Sequence, residues 1–231
     1  MNKGKYAVIT GDIVGSSMLT DKQNNKLNIK LKELFITLKK DQKKNGLLRS
    51  IEIYRGDSFQ MVTNMPNQAL RIALMIRCFL RSTDLETKGK QKSILTFTKR
   101  VDARIAIGIG PVSLLKLKLA ESTGDAFTLS GHLLDKMLNE KHLKIGIRTH
   151  DKQLNANLWR ECLLLSAIIT KWSSLQCEVV FEKLAGHTEV EIAKKFKTSQ
   201  PAINFRSQTA NWQAIDYYLR WFEDTAFDIL Q

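Results

Sequence analysis

Cysteine is scarce in this chain. Cys78, Cys162 and Cys177 are odd in number, far apart and set in apolar helical patterns, so they read as buried free thiols of a reducing compartment rather than disulfides or zinc ligands. Long apolar runs are missing as well. Nothing approaches the roughly 18 residues of a membrane span, and Tyr6 to Ile9 is too short for the apolar region of a secretion signal. The chain therefore reads as a soluble cytoplasmic protein with no membrane partner, and without a secretion signal Arg55-Gly56-Asp57 is not read as an adhesion motif. Acid is in short supply too: 23 Asp+Glu face 36 Lys+Arg, for a net charge of +13. That excess suits a polyanionic partner such as nucleic acid or nucleotide phosphates. Residues 1–140 hold 24 Lys+Arg against 13 Asp+Glu and residues 141–231 hold 12 against 10, so the surplus sits in the amino-terminal part.

What the chain does have is 43% hydrophobic residues over 231 positions, enough for one large domain or two modest ones. An apolar run, Ala7 to Ile9, predicts a first strand. Leu27, Leu31, Leu34, Phe35 and Leu38 then recur at helical spacing, with lysines on the other faces and Asn45-Gly46 as the stop. Those lysines read either as a solvated face or as a phosphate-binding surface. A strand pair around Asp57 follows, then a helical pattern from Asn67 to Leu80, a polar loop at 88–92, a strand from Arg104 to Gly110, a helix near Leu133 to Asn139 and a short strand, Leu143 to Arg148. This β-α-β-β-α-β order with one added helix and strand predicts a ferredoxin-like α+β domain over residues 1–150, its sheet antiparallel with helices on one face. Residues 151–231 predict an all-α domain.

Two carboxylates stand out. Asp12 lies where the first strand gives way to Gly15-Ser16-Ser17, and Asp57 lies at the bend of the hairpin. Acids at the ends of neighbouring strands repel unless one is protonated or a cation lies between them, which points to a hard divalent ion. The plainer alternative has Asp12 capping the first helix and Asp57 fitted to a turn.

Gly11-Asp12-Ile13-Val14-Gly15-Ser16 resembles the first metal motif of class III nucleotidyl cyclases, and Arg55-Gly56-Asp57-Ser58-Phe59 resembles the second. Arg104 to Val112 and Gly124 to Gly131 are similar to the segments that follow, so the resemblance spans roughly residues 5–149. With its carboxy-terminal segment the whole chain resembles the SatD family of bacterial proteins. The cyclase resemblance implies that Asp12, Asp57 and the Ile13 carbonyl bind Mg2+ or Mn2+, with phosphate oxygens completing the shell. It also implies that Val14, Gly15, Ser16 and Ser17, at a helix start, offer N–H groups to phosphates, and that Gly56, in the turn presenting Asp57, belongs with them to the nucleotide-binding set. Thr128 falls at a base-reading position, and Asp135 and Asn139 fall where cyclases carry a transition-state Asn and Arg. The other base-reading position holds Ile53, which cannot hydrogen-bond a base. Asn139 lacks the charge that phosphoryl transfer uses. Cyclases place their site across a homodimer, which is the expected assembly.

In the carboxy-terminal part, Leu158 to Trp172 and Glu178 to Ala185 read as helices. Thr188 caps a short helix to Phe196, Lys197-Thr198 is a turn, and Ser199 caps the next helix with Pro201 in its first turn. This is helix-turn-helix spacing, with Ile192, Ala193, Phe196 and Ile203 as shared core. Ser199, Gln200, Asn204, Arg206 and Gln208 are then the DNA-facing candidates, the amides suited to adenine and the guanidinium to guanine or phosphate. A protein-binding or dimerising helical domain fits the same pattern. The aromatic residues Trp212, Tyr217, Tyr218, Trp221 and Phe222 read as core or dimer contacts. Taken together the chain reads as a nucleotide- and metal-responsive DNA-binding regulator, with a nucleotidyl cyclase or nucleotidyltransferase and a non-catalytic scaffold as the alternatives.

Overall fold

The computed structural model describes residues 5–40, 43, 46–48, 52–54, 57–85 and 101–229. Among these it forms one five-stranded sheet and eight α-helices. The strands are β1 (Lys5–Val14), β2 (Glu52–Tyr54), β3 (Ser58–Thr63), β4 (Asp102–Pro111) and β5 (Ile145–Arg148). The helices are α1 (Asp21–Lys40), α2 (Ala69–Ser82), α3 (Asp125–Asn139), α4 (Lys152–Ile169), α5 (Ser174–Leu184), α6 (Glu189–Lys195), α7 (Gln200–Thr209) and α8 (Trp212–Ile229). The loop at 88–92 lies outside the described residues.

The strand order is β2-β3-β1-β4-β5. β1 is central because Ala7, Val8 and Ile9 are all fully buried, which requires cover on both faces of the sheet. It runs antiparallel to β3 and to β4, with Asp12 opposite both Ser58 and Arg104. β5 pairs parallel with β4, so the sheet is mixed rather than antiparallel. The reason is connectivity: α3 lies between the two strands, and a crossover helix returns the chain in the same direction.

The expectation of helices on one face is corrected as well. α1 and α2 pack on the face carrying Ala7, Ile9, Phe59 and Met61, where Phe35 meets Phe59 at 6.4 Å between ring centroids. α3 packs on the opposite face, where Ala126 joins Val8 and Val62. Gly108 makes that approach possible, since a Cβ there would run into the Ala126 carbonyl and the Ser130 amide.

The helical part is joined to the sheet part by a single apolar cluster that includes Ile9, Leu74, Leu165, Val180 and Phe222. Each such side chain contributes about 1.5–3 kcal/mol on burial. Arg77, wholly buried on α2, crosses the same junction: it donates to the Ile169 carbonyl at 2.7 Å and pairs with Asp102 at 2.9 Å. Arg81 joins it, reaching Asp102 at 3.1 Å and the Trp172 carbonyl at 2.5 Å. Two cations thus meet carbonyls at the C-terminal end of α4, where the helix dipole favours positive charge. Trp172 is buried and its indole N–H donates to the Ala210 carbonyl at 2.8 Å. The three cysteines are free and buried, and burial pushes the Cys162 thiol up to about 12.

Candidate functional site

Alternation along β1 and β4 puts Thr10, Asp12 and Arg104 on the sheet face opposite α1 and α2. There the Arg104 guanidinium grips Asp12 through both oxygens, Nε to Oδ1 at 3.1 Å and Nη2 to Oδ2 at 2.6 Å. Both side chains are 19% exposed, so the pair is partly desolvated and its two-pronged geometry makes it strong for an ion pair. Asp57 stands beside it in the turn before β3, and its carbonyl accepts the Ile13 N–H at 2.8 Å. Its carboxylate accepts from the Ser16 hydroxyl at 3.2 Å and the Ser58 hydroxyl at 3.4 Å. Farther along the same face, Gln60 donates to Thr10 Oγ1 at 3.2 Å, and Thr10 shares a hydrogen bond with Ser130 at 3.0 Å.

The turn after Asp12 differs in detail from a helix start. Gly15 adopts φ 84°, a left-handed conformation that favours glycine, and Ser16–Met18 form a single 3-10 turn. α1 begins only at Asp21, opened by Thr20, whose N–H donates to Gln23 Oε1 in the first turn and whose hydroxyl accepts the Gln23 N–H. Val14 therefore ends β1, and Gly15, Ser16 and Ser17 form the short turn after it, several residues before that helix rather than in its first turn. Asp12 does not cap it. Gly56 lies outside the described residues.

The donor chemistry of Asp12, Asp57 and the Ile13 carbonyl suits Mg2+ or Mn2+, but the oxygens are already engaged. Arg104 takes both of Asp12's and two hydroxyls take Asp57's, and among the described residues no three His, Cys, Asp or Glu side chains gather as a metal site. As arranged, these residues do not fit a resident cation unless Arg104 is displaced. Arg104 is the residue that sequence reasoning missed as Asp12's partner. Alternation could place it on the right face, but only the β1–β4 register puts it opposite Asp12.

On α3, Thr128, Asp135 and Asn139 are exposed, and the Thr128 hydroxyl bonds back to the Gly124 carbonyl at 3.5 Å. Ile53 packs against the apolar core, as a side chain that cannot read a base is free to do.

The helical hairpin is built locally. α6 opens with a capping box in which Thr188 accepts from the Glu191 N–H and Glu191 accepts from the Thr188 N–H. Lys197 takes φ 51° in the turn, a left-handed position where glycine is usual. Ser199 caps α7 and Pro201 lies in its first turn. Val179, Ile192, Ala193 and Ile203 form a small core of their own, with Phe196 against it.

Of the proposed DNA-facing residues, Gln200 and Gln208 are exposed. Ser199 spends its hydroxyl on the cap. Asn204 is half-buried and donates to Glu189 at 3.2 Å, while Arg206 is half-buried with its charge acting on Glu178. Packing of α7 against α5 and α6 draws Asn204 and Arg206 partly in. Phe205 was not foreseen; it is 66% exposed on α7. A groove of about 860 Å³ lies between α7 and the start of α8, lined by Lys183, Gln208, Trp212 and Tyr217 among others. Phe222 is buried, but Tyr217 is exposed, and Trp221 stacks on Tyr218 at 5.7 Å near the surface. Among the described residues no helix is long and apolar enough to cross a membrane.

No family model and no curated protein matches this chain. Among solved structures it is similar to the catalytic core of a rhodopsin-guanylyl cyclase with converted specificity in complex with ATPαS, at 19% identity and a TM-score of 0.39, over 58% of this chain and 72% of that one.

Proposed function

We propose that this chain is a DNA-binding regulator in which the α6–α7 hairpin docks on duplex DNA and the sheet part, read as ferredoxin-like and cyclase-like, takes a nucleotide or related phosphorylated ligand. The observation that carries the reading is the hairpin itself. It has a seven-residue α6, a left-handed Lys197 turn and a capped α7 with exposed Gln200 and Gln208, all on an independent core. A helix presented this way enters a major groove with its first turns at the base edges, and a homodimer would present two of them one helical turn apart. Lys194 and Lys197 are exposed beside it as phosphate contacts. On the sheet, a phosphorylated ligand would take the donors of Arg104, Ser16 and Ser58 by displacing the Asp12 and Asp57 carboxylates they now hold.

The test is selection of bound sequences from a random duplex pool by the full chain, followed by fluorescence anisotropy on the enriched site. Gln200→Ala with Gln208→Ala is expected to lower specific affinity about tenfold or more while leaving random-duplex binding nearly unchanged. With only a few lysines available, the salt slope should be shallow, on the order of −0.9 per phosphate contact. No enrichment, or equal binding to every duplex, overturns the reading.

The enzymatic alternative keeps one observation in its favour. Thr128, Asp135 and Asn139 lie exposed on α3, where a second copy could meet them. Pyrophosphate release from a nucleoside triphosphate with manganese, lost in Asp12→Ala, would establish it over the regulator.

A further inference from the structure

A second polar site lies away from Asp12, on the far edge of the sheet. β5 ends at Arg148, and after three intervening residues α4 begins beside it. Asn155 locks that corner: its side-chain oxygen accepts the Thr149 N–H and its amide donates to the Thr149 carbonyl, both at 2.8 Å. Between α3, β5 and α4 this leaves a cleft of about 490 Å³, within the range of about 300–1,000 Å³ typical of small-ligand sites.

The walls of the cleft carry four cations, Lys136, Arg148, Lys152 and Arg160, and no carboxylate. Lys136 lies 4.0 Å above the Trp159 ring, and Arg160 donates to Asn157 at 2.6 Å. Among the described residues Arg148 and Lys152 have no ion-pair partner. Like charges gathered around a concave surface repel, and an anion in their midst relieves that cost. The two guanidiniums suit the planar, two-pronged recognition of phosphate oxygens, and the two ammonium groups add point charge.

We propose that this cleft binds the polyphosphate group of a small phosphorylated ligand, at a site separate from the Asp12 face and from the helical hairpin. Enclosure on three sides by α3, β5 and α4 favours a small ligand over a nucleic-acid backbone.

The test is calorimetric titration of the full chain with inorganic tripolyphosphate, at physiological salt and with EDTA so that no metal contributes. Tryptophan fluorescence is followed in parallel. One saturable site is expected, with a fluorescence change lost in Trp159→Phe. Arg148→Gln with Arg160→Gln should weaken binding at least about tenfold. Lys136→Gln with Lys152→Gln, both at exposed positions, should weaken it severalfold and stands in if the arginine variant fails to fold. A control of equal charge change on α1, Lys32→Gln with Lys40→Gln, should alter binding less than about twofold.

The proposal is overturned if no saturable heat appears or if the control weakens binding as much as the cleft variants. It is also overturned if a short duplex DNA displaces tripolyphosphate in the native chain but not in the arginine variant, which would assign the cleft to nucleic acid. Loss of tripolyphosphate binding with the DNA selection intact overturns this proposal alone, and failure of the DNA selection with tripolyphosphate binding intact overturns the regulator reading alone.

Discussion

On the sheet, Asp12 meets a guanidinium 92 positions away and gives up both oxygens to it, whereas on the hairpin Thr188 and Glu191 satisfy one another across three positions and leave Gln200 and Gln208 open to solvent. The sheet has a polar face held closed by long-range pairs. The hairpin has a polar face made ready by short-range ones. A ligand at the first must compete with an existing partner, while a ligand at the second need only arrive. This contrast explains why the hairpin carries the functional reading although the carboxylates are chemically the more suggestive residues.

Among these pairings, one made by a wholly buried cation should be the most costly to break. Arg77→Ala removes a buried cation from Asp102 and from the Ile169 carbonyl at the end of α4. It is expected to lower the unfolding free energy in urea by about 3–5 kcal/mol. The exposed Arg220–Asp216 pair within α8 provides the contrast, since Arg220→Ala should cost less than about 0.5 kcal/mol. Equal losses would show that the junction is held by apolar contact alone.

These ranges also decide what could be read from the sequence. Caps, helix spacing and the hairpin turn depend on residues three or four apart, and Thr188, Ser199, Pro201, Ile192 and Ile203 disclosed them. The amphipathic pattern of α1 was equally plain, and its five apolar positions are the five buried ones. What could not be read depends on register and on which face a helix covers. Neither the parallel β4–β5 pairing nor the placement of α3 opposite α1 and α2 leaves a local signature, apart from Gly108, whose meaning appears only once Ala126 lies against it. Arg104 was noticed as a strand residue, and its grip on Asp12 is a consequence of pairing between β1 and β4.

If the sheet face is held closed by Arg104, releasing it should open a cation site. Arg104→Gln is expected to raise the affinity of Asp12 and Asp57 for Mn2+ about tenfold or more, read by the loss of free-ion electron paramagnetic resonance signal, with the native chain binding weakly. Tight binding by the native chain would mean that the guanidinium yields readily and that the two faces differ less than the distances imply.

The hairpin turn invites a smaller test. Lys197 takes a left-handed conformation that costs an L-residue roughly 1 kcal/mol and glycine little. Lys197→Gly should therefore raise stability by about 0.5–1 kcal/mol in thermal unfolding, offset in part by the greater entropy of glycine in the unfolded chain. At low salt it should also weaken DNA binding modestly by removing a phosphate contact. A loss of stability would place the turn under other control than its backbone angle.

The smallest effect concerns acid. Hydrogen bonding from Lys183 holds Glu189 below the usual carboxylate value of 4.5, and the Thr188 N–H does the same for Glu191. Groups depressed in this way stabilise the fold fully above their unfolded pKa and lose that contribution as pH falls through the lower folded value. The hairpin should therefore be unaffected by pH from 7 down to about 5 and begin to loosen at its α6 end only below about 4.5. Amide exchange at Thr188, whose N–H donates to the Glu191 carboxylate at 2.8 Å, reads this directly, because its protection factor should fall there before that of Ile203 in the small core. Simultaneous loss at both amides would show that α6 and α7 melt as one unit, and that the cap strengthens the whole hairpin rather than its first turn.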